Sequence, residues 1–142
     1  MNAQNILSSA LRLAAGLALV MSISAVAHAG DDFKVPEGVT VLTEDEIREK
    51  IIGNTMTGTS GSKRWTEYYL PNGVIKGVEA GEKYGGKWTL SGSVMCFDYS
   101  GDEYDTCDTL ALEGTKVRFF KLDGTPSDYA TGEILEGNAS GL

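Results

Sequence analysis

The chain has 142 residues, with 20 acidic and 12 basic side chains, two cysteines and one histidine. This length is that of a single small domain and excludes a multidomain enzyme. The formal charge of −8 argues against nucleic acid as a partner, because phosphate binding needs clustered lysine and arginine residues.

Residues 1–29 have the pattern of a secretion signal. Arg12 precedes the uncharged apolar run Leu13–Met21, and Ala27-His28-Ala29 is a typical cleavage sequence. A membrane anchor is the alternative, but the apolar stretch is shorter than the roughly 20 residues that a spanning helix needs. We therefore expect a periplasmic or secreted protein that has no stable membrane insertion after cleavage.

Cleavage after Ala29 would also restrict the chemistry of the mature chain. It removes Arg12 and none of the 20 acidic residues, so the mature chain is one charge more negative than −8. It removes His28, the only histidine. Without an imidazole, the Ser-His, Cys-His and His-metal mechanisms are excluded. We expect a protein that is not an enzyme and has no cofactor and no metal.

Residues 30–41 lack a sustained period and are predicted to be a flexible or loosely docked lead-in to a single β domain over residues 42–142. A short helix is predicted over Glu44–Ile52. Thr43 and Glu46 form a capping box at its start, and Gly53 provides the left-handed conformation that ends a helix.

After Gly53, short aromatic and β-branched runs alternate with Gly, Asn and Asp at the spacing of an all-β domain. Pro71-Asn72-Gly73 and Asp123-Gly124 are typical turn sequences. The predicted strands are Thr55–Thr59, Arg64–Leu70, Val74–Glu79, Lys87–Leu90, Val94–Tyr99, Tyr104–Leu110, Lys116–Leu122 and Tyr129–Leu135. The expected fold is mainly β: an antiparallel meander of about eight short strands that forms a small barrel or a strongly twisted sheet, with one short N-terminal helix.

Cys96 and Cys107 are the two cysteines, and an oxidising compartment favours a disulfide between them. If residues 100–103 form a four-residue turn, Cys96 lies directly opposite Cys107 on the neighbouring strand, which is close enough for a bond. The alternative is a redox-active pair, but the Cys-x-x-Cys spacing is missing. We predict a structural disulfide.

The same hairpin concentrates acidic residues, namely Asp98, Asp102, Glu103, Asp105 and Asp108. The hairpin could bind calcium through carboxylate oxygens, but it lacks the calcium-loop pattern. It could instead be a solvated tip, or a surface for a basic partner protein. Paired carboxylates could also act as acid and base in a hydrolase, with Glu67, Glu79 and Glu82 as further candidates.

Aromatic side chains are concentrated between residues 65 and 88. The residues that could form a ligand surface are Trp65, Tyr68, Tyr84 and Trp88. On a strand, Trp65, Glu67 and Tyr69 share one face, and Tyr68 lies on the other. Packing in the core is the alternative use of these rings. The glycines from Gly77 to Gly86 are expected to form a flexible loop beside them.

The order of Leu42-Thr43, Glu46-Ile47, Gly53-Asn54-Thr55, Tyr68-Tyr69-x-x-Asn72-Gly73, Gly86-Lys87-Trp88, Cys96-Phe97 and Cys107 is similar to that of a family of small exported bacterial proteins. That family is known only as a domain of unknown function. The resemblance covers about Leu42 to Cys107. It implies an exported β domain with a disulfide, and it brings no catalytic residues.

These observations predict an exported, non-enzymatic β domain that binds a small molecule, an envelope component or an envelope protein. The alternative is an acidic inhibitor or envelope-stress accessory protein that acts on a basic enzyme such as a lysozyme. A carboxylate-based hydrolase is a third hypothesis.

Overall fold

The computed structural model describes residues 33–99 and 106–142 and consists there of one helix and a closed antiparallel barrel of eight strands. Each strand pairs with its neighbours in sequence, and β1 pairs with β8 to close the barrel. The predicted mainly β fold is confirmed. The elements are α1 (Glu44–Lys50), β1 (Thr55–Ser60), β2 (Lys63–Tyr69), β3 (Val74–Glu79), β4 (Glu82–Ser91), β5 (Val94–Asp98), β6 (Thr106–Glu113), β7 (Lys116–Lys121) and β8 (Pro126–Leu135). The predicted secretion signal and the tip of the acidic hairpin lie outside the described residues.

Helix α1 covers one end of the barrel. Its capping box is formed: the Thr43 backbone N–H donates to the Glu46 carboxylate at 2.9 Å, and the Glu46 N–H donates to Thr43 Oγ1. Ile47 and Ile51 are fully buried against the barrel core. Across the described part of the chain, helical segments are too short and too polar to traverse a bilayer.

The inward-facing side chains differ between the two ends of the barrel. Near α1, the interior is filled by apolar side chains, and those almost inaccessible to solvent include Met56, Ile75, Met95, Leu110 and Val117. Toward the opposite end, the inward positions carry aromatic and acidic side chains. The helix end is therefore a packed core, and the other end holds the polar groups of the interior.

The turn between β3 and β4 corrects one prediction. The glycine-rich stretch was expected to be a flexible loop, but β4 begins at Glu82 rather than at Lys87, and only Ala80 and Gly81 connect the strands. Both residues have positive φ, 48° and 91°, as a two-residue hairpin turn requires. Gly77 lies within β3, and Gly85 and Gly86 lie within β4.

The lead-in makes backbone contacts with the barrel from Lys34 onward. The Lys34 N–H donates to the Leu122 carbonyl at 2.8 Å, and Val41 forms a bridge with Ala111. These contacts place the lead-in beside β6 and β7. Thr109 and Phe120 of these strands are buried although their side chains face outward.

Cys96 of β5 and Cys107 of β6 are directly opposite each other and form a disulfide with a Cα–Cα distance of 4.0 Å. The predicted pairing and register are confirmed. Such a bond is compatible with an oxidising extracytoplasmic compartment.

Candidate functional site

A cavity of about 1080 Å³ occupies the half of the barrel that faces away from α1. Residues of the β1–β2 and β3–β4 turns border it, so it opens at that end of the barrel. The lining residues that bear aromatic or charged side chains are Lys63, Trp65, Glu67, Tyr69, Glu79, Glu82, Tyr84, Phe97, Tyr99, Asp108 and Phe119. Cavities of this size are large enough for one small organic molecule.

Glu67 lies in the wall of this cavity and accepts hydrogen bonds from three tyrosine hydroxyls. Tyr84 and Tyr99 both donate to Oε1 at 2.7 Å, and Tyr69 donates to Oε2. The Glu67 side chain is only 5 % exposed. We call these four residues the Glu67 cluster. Its three donors hold the carboxylate in one orientation.

The cluster is assembled from three segments of the barrel. Alternation on β2 points Glu67 and Tyr69 inward together. Strand β4 contributes Tyr84, which lies opposite Gly77 of β3, and Gly77 in turn lies opposite Glu67. Tyr99 follows the end of β5. Closure of the sheet therefore brings these side chains to one point.

Glycines on the inner surface create the space that the large rings occupy. A Cβ atom added to Gly77 would collide with the Tyr84 ring, and one added to Gly86 would lie 2.8 Å from the Tyr99 ring. Gly58 lies in the same way against Trp65. These rings lie close to the backbone of the three glycines, and a side chain at any of these positions would prevent that approach.

The aromatic rings form a continuous wall. Tyr84 meets Tyr99 edge-on with ring centroids 5.8 Å apart, and Tyr99 stacks on Phe97 at 6.5 Å. Phe97 also contacts Tyr69 and Phe119, at 6.3 and 6.2 Å. Each ring is thus held by its neighbours before any ligand binds.

Burial governs the ionisation of the Glu67 cluster. Loss of solvent raises the pKa of Glu67 above its ordinary value, although the three hydroxyl donors oppose the rise and the nearby Glu79 charge adds to it. Burial, with the charge of Glu67, also raises the pKa of Tyr69 well above its ordinary value. The tyrosine therefore remains a hydrogen-bond donor throughout the neutral range.

The charged groups of the cavity are mostly acidic. Glu67, Glu79, Glu82 and Asp108 line it, and Lys63 is the one basic side chain among its described lining residues. Glu67 and Asp108 are buried, whereas Glu82 and Lys63 are exposed at the opening. The deep part of the cavity thus carries carboxylates, and the exposed ammonium lies at its rim.

The predicted ligand residues separate into three positions. Trp65 and Tyr84 line the cavity. Trp88 is buried toward the helix end, where its indole N–H donates to the Leu70 carbonyl at 2.9 Å. Tyr68 is half-buried and lies on the opposite face of β2 from the cavity residues. The structure therefore brings together two of the four.

The acidic hairpin is described only in part. Asp98 is exposed at the end of β5, whereas Asp102, Glu103 and Asp105 lie outside the described residues. Within residues 33–99 and 106–142, histidine, cysteine and carboxylate side chains do not come together in groups able to hold a metal ion.

Sequence reasoning grouped Glu67 with Glu79 and Glu82 only as candidate acid or base residues, and it did not identify Tyr69 and Tyr99 as site residues. One signal was present: Trp65-x-Glu67-x-Tyr69 places a carboxylate between two rings on one face of a strand. A carboxylate on a face of large aromatics must either be solvated or find buried donors.

Comparisons of this chain with protein-family models, with curated proteins and with solved structures find no match.

Proposed function

We propose that this protein is an exported, non-enzymatic binding protein that holds one small organic molecule inside its barrel. The observation that carries the proposal is the cavity of about 1080 Å³ with the buried Glu67 cluster in its wall. The secretion signal expected at residues 1–29 and the disulfide support a place in the periplasm or outside the cell.

The energetic cost of the Glu67 cluster supports a role in binding. A buried carboxylate costs free energy even when it is hydrogen-bonded, and apolar side chains of similar volume are often at least as stable. The helix end of this barrel has such an apolar core. A polar network beside a cavity is typical of a site that recognises a ligand.

The two tryptophans of the chain allow a direct test. Trp65 lines the cavity, whereas Trp88 is buried near α1. We would titrate the protein with 2-phenylethylamine, 2-phenylethanol and 3-phenylpropionate, which share an aromatic body and differ in charge. The Trp88→Phe variant reports Trp65 alone, and the Trp65→Phe variant is the matched control that reports Trp88 alone.

Binding in the cavity is expected to change the fluorescence of the Trp88→Phe variant saturably and to leave that of the Trp65→Phe variant unchanged. Native mass spectrometry of the same samples should show a stoichiometry of one. If none of the three compounds produces a saturable change and no adduct is detected, the proposed function is wrong. Equal responses from both variants would also contradict it, because Trp65 lines the cavity and Trp88 does not.

One observation favours a second candidate function, carboxylate-based hydrolysis. Glu67, Glu79 and Glu82, which the sequence grouped as possible acid and base residues, line the same cavity. This hypothesis predicts turnover of a glycoside that a single Glu67→Gln or Glu79→Gln substitution abolishes. An absence of product from a panel of glycosides would leave binding as the activity of the cavity.

A further inference from the structure

We propose that the ligand of this barrel is an organic cation, an amine or quaternary ammonium on an apolar body, whose positive group binds beside Glu67 among the aromatic rings of the wall. This inference rests on the proposed function and specifies its ligand class. It depends on three properties of the cavity: the sign of its charge, the nature of its walls and the position of its carboxylates.

The sign of the charge disfavours anionic ligands. The carboxylate of Glu67 is buried in the wall, and the lysine of the lining is exposed at the rim. An anion such as a fatty acid would face this carboxylate in a region of low dielectric constant, where like charges repel strongly. A cation instead offsets a negative charge that the fold has already buried.

The walls have the chemistry that organic cations require. Six aromatic rings line the cavity, and Tyr84, Tyr99 and Phe97 form a connected series of ring contacts. Aromatic faces attract ammonium and quaternary ammonium groups through their quadrupole, and the attraction increases when water is excluded. The same rings pack against an apolar body. A hydrated metal ion would gain little from such a surface.

The carboxylates occupy two depths. Glu79 lies opposite both Glu82 and Trp65 near the opening, and Glu67 is two residues further along β2. At the rise of a strand, this separation is about 7 Å. Carboxylates at the mouth increase the local concentration of cations, and Glu67 then provides the fixed partner inside.

The carboxylate of Glu67 is already oriented before a cation binds. Its two oxygens accept from three hydroxyls, so the carboxylate does not need to be reoriented when the ligand arrives. A carboxylate has about four acceptor positions, which leaves one for an N–H donor from the ligand. Because burial raises the pKa of Glu67, a bound cation should lower that pKa again.

The experiment compares the three compounds of the preceding test by their dissociation constants in the Trp88→Phe protein at neutral pH. 2-Phenylethylamine is expected to bind at least about tenfold more tightly than 2-phenylethanol, as a single charge-assisted hydrogen bond provides. 3-Phenylpropionate is expected to bind most weakly. Choline and trimethyl-(2-phenylethyl)ammonium then distinguish a need for the apolar body from a need for an N–H donor.

Substitutions test whether Glu67 is responsible for the preference. Glu67→Gln keeps the shape of the side chain and removes its charge, so the preference for the amine over the alcohol should largely disappear. Glu49→Gln removes the same charge from the exposed face of α1 and should leave the preference unchanged. If Glu67→Gln does not fold, Glu79→Gln at the half-buried rim is the second variant and should reduce the preference partially.

The outcomes separate the two proposals. A saturable Trp65 response in which the alcohol or the carboxylate binds as tightly as the amine overturns the cation inference and leaves the proposed function standing. A preference for the amine that survives Glu67→Gln and matches Glu49→Gln also overturns it. No response to any of the compounds overturns both proposals. A preference for the amine that depends on Glu67 supports both.

Discussion

Glu67 of β2 and Tyr99, which follows β5, are 32 residues apart in sequence, yet the Tyr99 hydroxyl donates a 2.7 Å hydrogen bond to Oε1 of Glu67. The bond crosses the interior of the barrel. It links the second strand to the hairpin that carries the disulfide, so the cavity wall and the β5–β6 hairpin are coupled through one carboxylate.

The difference in stability between the wild type and the Glu67→Gln variant should depend on pH. Burial raises the pKa of Glu67 above 4.5, so the folded state holds the proton more tightly than the unfolded state. The resulting stabilisation is complete below about pH 4.5 and is lost as the pH rises through the higher pKa of the folded state. The free energy of unfolding of the wild type minus that of the variant should therefore fall with increasing pH.

Urea unfolding at a series of pH values from about 4 to 8 measures this difference. The other titratable groups near Glu67 are retained in the variant, so their contributions cancel in the difference between the two proteins. These groups are Tyr69, Tyr84, Tyr99, Glu79 and Asp108, which line the cavity, and Lys121, which lies opposite Asp108 on β7. Glu49→Gln, which removes a carboxylate from the exposed face of α1, is the control variant. A difference that rises with pH would contradict the prediction.

Gly77→Ala should destabilise the protein by about 1–3 kcal/mol, because the new methyl group would collide with the Tyr84 ring and force it off Glu67. Gly85→Ala is the matched control on the adjacent strand: its nearest contact would be an ordinary 3.6 Å, and its φ is not positive. Thermal unfolding compares the two variants. Similar stability of both would show that the Tyr84 ring is not held as described.

Removal of the Cys96–Cys107 bond should destabilise the folded protein by about 2–3 kcal/mol. The bond closes a short loop with a sequence separation of 11, and its main effect is to restrict the unfolded chain. The double variant Cys96→Ser, Cys107→Ser should show this loss in urea unfolding. The wild type measured in a reducing buffer should show the same loss, and unchanged stability in both cases would contradict a structural role.

Thr43→Ala should cost about 1 kcal/mol, because it removes the oxygen that accepts from the Glu46 N–H at the start of α1. Ile47 of α1 and Ile51, its C-cap residue, are buried in the core, so the loss should appear in unfolding of the whole domain. Thr59→Ala, at an exposed position on β1, is the control. A loss of stability of equal size in the control would contradict a specific role of the Thr43 cap.

Local features were predictable because their causes are local. The capping box involves residues three apart, and both the start of α1 and the β5–β6 register followed from such short spacings. The β3–β4 turn was missed because glycine was interpreted as flexibility. Gly77 and Gly86 are instead the sites where Tyr84 and Tyr99 approach the backbone. The sequence does not show this proximity, because it arises between different strands.

The site itself depended on which face of each strand turned inward. Trp65 and Tyr68 were both candidates from the same strand, and closure of β1 onto β8 placed Trp65 inside and Tyr68 outside. Trp88 shares the inward face of β4 with Tyr84, but it lies four residues further along the strand, in the apolar end of the barrel.

The amino-acid order alone determined a β meander with a capped helix, a cysteine pair in register and an acidic surface, since these arise from capping, turn chemistry and alternation over a few residues. Only the tertiary structure decided that the sheet closes, that one end is filled and the other hollow, and that three tyrosines converge on Glu67. The physical reason is that burial and hydrogen bonding between distant strands depend on how the barrel curves, and no local pattern specifies that curvature.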